Sequence, residues 1–331
     1  MNLIIVTGAA GFIGSCITSE LNKRGIKDLI LVDHFNDNLS DNNTSDEKKK
    51  NIESKQYLKY FDKNEFMRWI KNNLFKESFD CLIHMGACSS TTLQDAKYFE
   101  ENNYEYTKIL AEWSLKNNVR FIYASSAATY GDGSEGYSDD DKSTLKLKPL
   151  NLYGFSKHKF DLWVLENKLQ DKFVGLKFFN VFGPNEYHKG DMRSVIAKSY
   201  IEVKEKGKIR LFKSYNPGYK DGEQKRDFVY VKDAVDVVMF FKDNKDINGI
   251  FNLGTGEART WNDLAKALFS AVNKDLSIEY IDMPPGLNER YQYFTQADIS
   301  KLNRAGYKKK FMPLETSVLD YSGYLSEHKY L

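Results

Sequence analysis

The chain has 331 residues, and its 48 basic and 46 acidic side chains give a formal charge of +2. This length is sufficient for a full α/β core with a second lobe, and the balanced charge gives no electrostatic footprint for nucleic acid. The three cysteines include no C-x-x-C pair, which argues against a disulfide framework and against a zinc or other metal site. No apolar run reaches the roughly 20 residues that span a bilayer, and the one at residues 1–6 is too short for a signal peptide. We therefore expect a soluble, cytoplasmic protein without a membrane partner.

In the first half of the chain, short apolar runs alternate with helical patterns, which is typical of a parallel α/β sheet. The predicted strands are residues 3–6, 29–32, 81–84, 120–124 and 174–179. The predicted helices are residues 12–23, residues 96–117 and a helix that carries Tyr153 and continues to about residue 169. Between them, residues 35–56 are rich in Asn, Asp, Ser and Lys, which predicts a polar surface excursion. The lysine runs 48–50 and 308–310 are interpreted as solvated loops.

The second half is less regular. Residues 180–227 lack the β/α alternation, whereas 227–231 and 249–254 are typical of strands, the first followed by a helix start at Asp233. The sequence therefore predicts an α/β, Rossmann-type doubly wound parallel sheet with a smaller, interleaved C-terminal substrate lobe. We assign residues 1–179 plus 229–256 to the dinucleotide-binding domain and 180–228 plus 257–331 to the substrate-binding lobe.

A glycine-rich loop, Gly8-Ala-Ala-Gly11-Phe-Ile-Gly14, follows the first predicted strand and opens the first predicted helix. Glycines in this position allow a tight turn and let backbone N–H groups approach a pyrophosphate at the helix N-terminus. The spacing is G-x-x-G-x-x-G rather than the commoner G-x-G-x-x-G. The alternative is an ordinary tight βα turn, but the strand and helix on either side favour dinucleotide binding.

Asp33 ends the second predicted strand, 19 residues after Gly14 (33 − 14). An acid in this place usually accepts hydrogen bonds from the adenine ribose and favours NAD, although a turn or helix cap is the alternative. NADP would require a nearby cation for its 2′-phosphate, and Lys63 is a candidate. These residues alone leave the choice between NAD and NADP open.

The string Tyr153-Gly-Phe-Ser-Lys157 places Tyr153 and Lys157 on one face of a helix. A phenol alone is a poor base, with a reference pKa of about 10, and a neighbouring ammonium stabilises the phenolate. The pair therefore suits removal of a proton from an alcohol while a hydride leaves its carbon. Ser126, at the end of a core strand, is the hydroxyl that we expect to bond the reacting oxygen, whereas Ser125 is expected to face the core or cap a turn. No nucleophile elbow or paired His supports a covalent hydrolase.

The glycine loop, Ser126 and the Tyr153/Lys157 pair resemble the extended short-chain dehydrogenase/reductase superfamily, which includes nucleotide-sugar epimerases and dehydratases. Longer strings resemble the ADP-L-glycero-D-manno-heptose 6-epimerases within it, and they extend the resemblance over nearly the whole chain. These strings are Gly86-Ala-Cys-Ser-Ser-Thr-Thr92, Tyr123-Ala-Ser-Ser-Ala-Ala-Thr-Tyr-Gly131, Pro149-Leu-Asn-Leu-Tyr-Gly-Phe-Ser-Lys157, His188-Lys-Gly190, Lys225-Arg-Asp-Phe-Val-Tyr-Val231 and Arg290-Tyr-Gln-Tyr-Phe-Thr-Gln-Ala-Asp298.

The resemblance implies a reaction. A tightly held NADP would oxidise C6 of an ADP-activated heptose to a ketone, the ketone would rotate, and hydride would return to the opposite face. It also implies that Tyr153 and Lys189 act as the two acid/base groups and that Lys157 positions the nicotinamide ribose and lowers the pKa of Tyr153. Without the resemblance, Lys189 would be interpreted as a surface lysine in a Tyr-His-Lys-Gly turn. A homo-oligomer and a role in lipopolysaccharide inner-core assembly are further implications.

The same resemblance assigns binding residues. Those expected to contact the cofactor are Gly8, Gly11, Phe12, Ile13, Gly14, Asp33, His34, Lys63, Met85, Gly86, Ala87, Cys88, Ser89, Asn102, Lys157 and Val181. Those expected to contact the substrate are Asn180, Asp191, Lys198, Leu211, Phe212, Ser214, Arg226 and Tyr291. Arg226 suits a diphosphate because a guanidinium binds phosphate through two N–H groups; its alternative is a surface ion pair with Asp227 or Glu223. Tyr291 would hold a base or phosphate, or would be a half-buried aromatic.

The chain departs from the family pattern at several positions. Ser40 stands where a cofactor-facing lysine is expected, and the polar stretch 38–54 is longer than usual. Asp191 and Lys198 replace an expected Ser and His, and the Asp191 carboxylate is expected to raise the pKa of Lys189 or accept a sugar hydroxyl.

Two other functions stay open. The first is another nucleotide-sugar 4-epimerase or dehydratase, although residues 126–128 offer no acid/base pair for eliminating water. The second is a non-catalytic NADP-binding regulator, for which loss of Tyr153 or Lys157 would have been the sign.

Overall fold

A parallel sheet forms the centre of the computed structural model, which describes residues 3–35, 42–286, 288 and 291–331. Ser40, part of the stretch 38–54 and Arg290 lie outside the described residues. The strands are β1 (Leu3–Thr7), β2 (Leu29–Asp33), β3 (Lys59–Asp62), β4 (Phe79–His84), β5 (Arg120–Ser126), β6 (Phe173–Phe178), β7 (Asn180–Phe182), β8 (Ile209–Phe212), β9 (Lys225–Tyr230), β10 (Gly249–Leu253), β11 (Ala258–Thr260) and β12 (Ile278–Ile281).

Helices cover both faces of this sheet. They are α1 (Phe12–Lys23), α2 (Asn42–Glu53), α3 (Lys63–Lys71), α4 (Ala96–Phe99), α5 (Tyr106–Lys116), α6 (Asp141–Thr144), α7 (Leu152–Glu166), α8 (Val195–Lys206), α9 (Val231–Asp243), α10 (Trp261–Ala271), α11 (Ser300–Arg304) and α12 (Leu314–Glu327). A π-helical segment, Glu100–Glu105, joins α4 to α5, and 3₁₀ turns form at Ala127–Tyr130 and Tyr187–Met192.

The central sheet has the strand order β10-β6-β5-β4-β1-β2-β3, and its paired strands are parallel. This is the Rossmann order with β10 added at one edge, so the predicted fold class is confirmed. Every residue of β1, β2 and β10 is buried, because helices cover both faces. Along β1, Ile4 and Val6 join one apolar cluster while Leu3 and Ile5 join another, so the two faces have separate cores.

Chain direction reverses between β1 and β4, which lie side by side. After β1 the chain proceeds outward to β2 and β3, and after β4 it proceeds the other way to β5 and β6. Loops that leave the carboxyl ends of β1 and β4 therefore diverge and open a crevice, the usual place for a ligand in such a sheet.

The seven predicted strands match observed strands to within two residues at either end, but two other predictions are wrong and β3 was not predicted. The expected helix 96–117 is present as the continuous run of α4, the π-helical segment and α5. The excursion 35–56 contains α2, a helix whose Asn51 and Ile52 are buried. Residues 180–227, expected to lack the β/α alternation, contain β7, α8 and β8. The polar composition of α2 gives no sign of a packed helix, because the contacts that bury its Asn51 come from distant parts of the chain.

Two small sheets lie outside the central one. Strand β9 pairs in parallel with β7 and antiparallel with β11, and β8 pairs in parallel with β12. Strand β10 returns to the central sheet beside β6 although it follows β9 in sequence. The predicted division into a dinucleotide-binding domain and a substrate lobe stays a prediction. No helix among the described residues is long and apolar enough to cross a bilayer.

Candidate active site

A cavity of about 700 Å³ opens at the carboxyl ends of β1, β2, β4 and β5. Every residue predicted to bind the cofactor, from Gly8 to Val181, lines it. The four predicted catalytic residues, Ser126, Tyr153, Lys157 and Lys189, line the same cavity. None of the eight predicted substrate-binding residues does. The structure thus brings the predicted cofactor-binding and catalytic residues together in one cavity. The predicted substrate-binding residues lie outside it.

The glycine loop is shaped by close backbone approach. Gly8 has a φ of +66°, and a Cβ on it would lie 2.6 Å from the backbone nitrogen of Gly86. A Cβ on Gly14 would lie 2.1 Å from the carbonyl oxygen of Gly8, so α1 can pack this tightly only on a glycine. Gly11 caps α1 without a side-chain hydrogen bond, which leaves the first N–H groups of the helix to an anion. This loop therefore fits the pyrophosphate of a dinucleotide.

A buried asparagine, Asn103, anchors the loop that follows β4. Its side chain accepts a hydrogen bond from the Cys88 N–H (2.9 Å) and donates to the Cys88 carbonyl (2.9 Å) and to Ser156 Oγ (3.0 Å). Asn103 lies in the π-helical segment, and such segments occur frequently at functional sites. It thus couples the cofactor loop to α7, which carries Tyr153.

Helix α7 begins so that Tyr153 lies in its first turn. The Asn151 side chain caps the helix by accepting a hydrogen bond from the Gly154 N–H (2.8 Å). A Cβ on Gly154 would lie 2.6 Å from the carbonyl oxygen of Ala128, so the glycine lets α7 pack directly on the 3₁₀ turn after β5. Ser126 starts that turn and accepts a hydrogen bond from the Ala128 N–H (3.1 Å). Close packing therefore brings the Tyr153 and Ser126 side chains into hydrogen-bond contact.

The electrostatics of Tyr153 and Lys157 are dominated by burial. Burial raises the pKa of Tyr153, and the hydrogen bond with Ser126 opposes this increase. Burial lowers the pKa of Lys157 to about 8, and the nearby Asp161 carboxylate opposes that decrease. The raised pKa of Tyr153 is opposite in direction to the sequence-based expectation, because desolvation of the phenolate outweighs the stabilising hydrogen bond with Ser126.

A buried ion pair lies beneath these residues. Lys177 Nζ is 3.2 Å from Asp161 Oδ2, and both side chains are completely inaccessible to solvent. Asp161 also accepts hydrogen bonds from the hydroxyls of Tyr123 (2.9 Å) and Ser125 (2.7 Å). Ser125 is buried, as expected for a residue that faces the core, although part of it also lines the cavity.

Lys189 projects from the 3₁₀ turn Tyr187–Met192, where Gly190 has a φ of +52°. Its Nζ lies 5.1 Å from the centre of the Phe12 ring. Burial lowers its pKa, and the carboxylate that opposes the decrease is that of Glu186 rather than the expected Asp191. The turn predicted from the sequence is present, but Lys189 is half-buried in the cavity wall instead of lying on the surface.

Asp33 is surrounded by donors from the protein itself. Its Oδ2 accepts the Ala10 N–H (2.8 Å), and its Oδ1 accepts the His34 N–H (2.8 Å) and Lys48 Nζ (2.7 Å). The interpretation of residues 48–50 as a solvated loop is wrong for Lys48, whose side chain is only 13% exposed and lies on α2. Lys63 lines the same end of the cavity, where its Nζ donates to Asn102 Oδ1 (3.1 Å).

The predicted substrate residues lie in three places outside the cavity. Arg226 is buried on β9, donates to the carbonyls of Lys225 and Gln292, and lies 5.1 Å from the Tyr291 ring. Asn180 contacts Thr295 in the segment that runs beside β9. The third group is spread over α8, β8 and their flanks: Asp191, Lys198, Leu211, Phe212 and Ser214.

Several residues of this third group are exposed, buried or already hydrogen-bonded within the protein, and none of them lines the cavity. Asp191 and Lys198 are exposed, with Lys198 Nζ 3.3 Å from the Asp191 carbonyl, and Leu211 is buried. The Ser214 hydroxyl donates to the Asn216 carbonyl (3.0 Å). The surface ion pair considered for Arg226 is not observed, because the side chain is buried and lies over the rings of Trp261 and Tyr291; its contact with a diphosphate stays a prediction.

Sequence reasoning missed part of the cavity wall. These residues are Thr7, Val32, Thr44, Lys48, Ser90, Thr92, Leu93, Tyr98, Tyr106, Ala124, Phe178, Phe179, His188 and Met192. Several directly follow predicted residues in the loops at the strand ends, as Ser90 follows Ser89, so their place in the sequence is a signal that could have identified them. Lys48 had no such signal, because only the folding of α2 brings it to Asp33.

Comparison with known proteins agrees with this geometry. The model of the NAD dependent epimerase/dehydratase family matches residues 4–254. The chain belongs to this family. A nicotinamide dinucleotide is accordingly its cofactor, and the glycine loop, the uncapped start of α1 and Lys157 are the features that would hold it.

Within the family, the chain is similar to proteins named ADP-L-glycero-D-manno-heptose-6-epimerase. One from Nitratidesulfovibrio vulgaris is 50% identical over 319 residues, covering 96% of each chain. One from Fusobacterium nucleatum is 46% identical over 340 residues, covering 99% of this chain and 100% of the relative. The crystal structure of the Helicobacter pylori ADP-L-glycero-D-manno-heptose-6-epimerase superposes with a TM-score of 0.81 at 28% identity, covering 98% of this chain and 96% of that one. The resemblance inferred from motifs is therefore confirmed.

Proposed function

We propose that this protein converts ADP-D-glycero-D-manno-heptose to ADP-L-glycero-D-manno-heptose by inverting C6, using a tightly bound NADP. Relatives of that name at 50% and 46% identity over nearly the whole chain support the class and the substrate. The observation that carries the chemistry is the convergence of Ser126, Tyr153, Lys157 and Lys189 on the cavity that contains the glycine loop.

Tyr153, Ser126 and Lys157 would have separate roles in the oxidation of C6. A nicotinamide dinucleotide held by the glycine loop and Lys157 would supply an acceptor for the C6 hydride and a donor for its return, so no cofactor would be consumed. Tyr153 takes the hydroxyl proton while Ser126 donates a hydrogen bond to the same oxygen. Lys157 lies one helical turn after Tyr153 on α7. Its charge, together with that of an oxidised nicotinamide ring, would favour the phenolate that burial alone disfavours.

A second acid/base group is needed because the two epimers present the C6 hydroxyl in different directions. Lys189 reaches the cavity from the 187–192 turn, whereas Tyr153 reaches it from α7. Burial lowers the pKa of Lys189 toward the range in which an amine exchanges protons readily. After oxidation, rotation of the ketone carbon within the cavity would expose its opposite face to the returning hydride, with Lys189 as the proton partner.

The remaining assignments are parts of the same proposal. Arg226 and Tyr291 would hold the ADP portion, and the lobe formed by residues 180–228 and 257–331 would close over the sugar. We also propose that the enzyme is cytoplasmic, forms a homo-oligomer and supplies heptose for the lipopolysaccharide inner core.

Two variants test the roles of Tyr153 and Lys189. Purified protein is incubated with ADP-D-glycero-D-manno-heptose, and the two epimers are separated and quantified. Tyr153→Phe and Lys189→Met should each lower the rate by roughly 10²-fold or more while leaving dinucleotide binding unchanged. The matched controls are Tyr57→Phe and Lys49→Met, both at exposed positions, which should retain the full rate.

The outcomes separate the alternatives. Near-normal turnover by Tyr153→Phe or Lys189→Met would remove that residue from the mechanism. A product lacking the elements of water would favour a dehydratase, and no change in any nucleotide sugar would favour a binding protein.

The cofactor is tested separately. The purified protein is denatured, and the released nucleotides are identified by mass spectrometry. NADP is the expected product. Release of NAD would contradict the proposed cofactor, and an empty protein would contradict tight binding.

A further inference from the structure

The helix α2, which carries Lys48, is held firmly against the cofactor cavity. The Asn51 side chain is completely buried and donates to the carbonyls of Ala10 (2.9 Å) and Asn185 (3.1 Å). It also lies 3.3 Å from His188 Nδ1, next to Lys189. Ala10 belongs to the glycine loop and Asn185 to the segment leading to Lys189. Asn51 therefore fixes α2 to two walls of the site at once, and Lys48 is presented by a rigid element.

Lys48 neutralises the acid that would otherwise discriminate against a 2′-phosphate. Its Nζ lies 2.7 Å from Asp33 Oδ1, at the end of β2 where an acid usually receives the ribose 2′-hydroxyl. Both oxygens of Asp33 are already engaged by backbone N–H groups and Lys48, so the carboxylate has no need of a ribose donor. The ion pair also cancels the charge that would repel a phosphate.

One proton of the Lys48 ammonium is still available. An ammonium has three donors, and within the described residues Lys48 uses one for Asp33 Oδ1 and one for the His34 carbonyl (2.6 Å). The third can be given to a ligand, because Lys48 lines the cavity together with Lys63. Lys63 follows Asp62, which lies opposite Asp33 in the sheet, so the described lining of the cavity has the ammonium groups of Lys48 and Lys63 against the carboxylate of Asp33.

We propose that Lys48 binds the 2′-phosphate of NADP, with Lys63 as the second cation, and so makes this enzyme selective for NADP. This inference rests on the proposed function for the identity of the cofactor. It assigns to α2, within the long polar stretch, the task that the family pattern would have placed at position 40. The chain has Ser40 where the family pattern has a lysine, and a charge-assisted hydrogen bond from Lys48 to the phosphate would take the place of the one from that lysine.

The test compares two ligands that differ only in this phosphate. Adenosine 2′,5′-bisphosphate and AMP are titrated calorimetrically into the full chain after bound nucleotide has been released by unfolding in urea and the chain has been refolded by dialysis. The wild type should bind the bisphosphate more tightly. Lys48→Met should weaken bisphosphate binding by roughly 10- to 100-fold, as expected for loss of a hydrogen bond to a charged group, and should change AMP binding less than about twofold.

Three further variants sharpen the comparison. Lys49→Met removes a neighbouring exposed lysine from the same helix and should leave both affinities unchanged. Lys48→Gln keeps a donor for Asp33 without the charge and should show the same selective loss as Lys48→Met. Lys48→Arg keeps the charge and should retain the preference for the bisphosphate. Affinity for AMP serves as a check of folding in each variant.

The results distinguish this inference from the proposed function. If the wild type prefers the bisphosphate and Lys48→Met keeps that preference, the role of Lys48 is refuted while NADP stands. An equal loss of both affinities in Lys48→Met and Lys48→Gln would make Lys48 structural and would also refute the inference. If the wild type shows no preference, both the NADP assignment and the role of Lys48 are wrong.

Discussion

Gly154 decides whether α7 can place Tyr153 beside Ser126, and its replacement is the most informative perturbation of the site. A Cβ at this position would lie 2.6 Å from the Ala128 carbonyl oxygen, about 0.8 Å short of the 3.4 Å at which ordinary contact begins. The opposing atom belongs to the backbone, so no flexible side chain can yield. Helix α7 must therefore move away from the turn after β5.

The energetic balance predicts a loss. Alanine is favoured over glycine in a helix by about 0.8 to 1 kcal/mol, whereas forcing extra atoms into a packed contact typically costs about 1 to 3 kcal/mol. We expect Gly154→Ala to lower the free energy of unfolding by up to about 2 kcal/mol. Because a displacement near 1 Å can reduce a rate by about 10²-fold, kcat for epimerisation should decrease by roughly that factor.

The assay uses urea unfolding followed by circular dichroism, together with steady-state epimerisation. Gly323→Ala is the matched control, because Gly323 also lies in a helix, α12, where a Cβ would meet no atom within 4 Å. The control should gain about 0.5 to 1 kcal/mol of stability and keep its kcat. If Gly154→Ala is as stable and as active as Gly323→Ala, the proposed dependence of the catalytic geometry on this contact is wrong.

Two further predictions concern buried charges. Asp161→Asn leaves Lys177 buried without its charged partner and should reduce the free energy of unfolding, measured in urea, by about 3 to 5 kcal/mol. The control Glu279→Gln breaks an exposed ion pair and should change this free energy by less than about 1 kcal/mol. Equal effects of the two substitutions would contradict the role of the buried pair. Burial raises the pKa of Asp139 to about 6, so its stabilising contribution is present below about pH 4 and is lost as the pH rises through 6. The unfolding free energy of the wild type minus that of Asp139→Asn should therefore fall by about 2 kcal/mol between pH 4 and pH 7.5, and a difference independent of pH would refute the shift.

The parts of this fold that sequence reasoning found are those determined by neighbouring residues. A buried parallel strand is a continuous apolar run, and the glycine loop is specified by backbone geometry that only Gly8 and Gly14 permit. Tyr153 and Lys157 are one helical turn apart, so their convergence follows from the spacing alone. These local rules were enough to predict six of the seven strands of the central sheet, all but β3, together with the glycine loop and the Tyr153/Lys157 pair that line the cavity.

The parts that were missed depend on distant contacts. Helix α2 is polar in sequence, and it is held by Asn51, whose hydrogen-bond partners lie 41 and 134 residues away along the chain. Asn103 resembles any polar helix residue until Cys88 and Ser156 are brought to it. The substrate residues carried over from the family depend in the same way on how β8, β9 and their neighbours pack, and their roles stay predictions.

In the proposed reaction, hydride leaves C6 and returns to the same carbon within one enzyme molecule. We would convert ADP-D-glycero-D-manno-heptose in D₂O and analyse the inverted product by mass spectrometry and proton NMR. The inverted product should carry no deuterium bound to C6, because only the hydroxyl proton exchanges with solvent through Tyr153 and Lys189. Deuterium at C6 would refute the proposed reaction, because it would show deprotonation of carbon without hydride transfer.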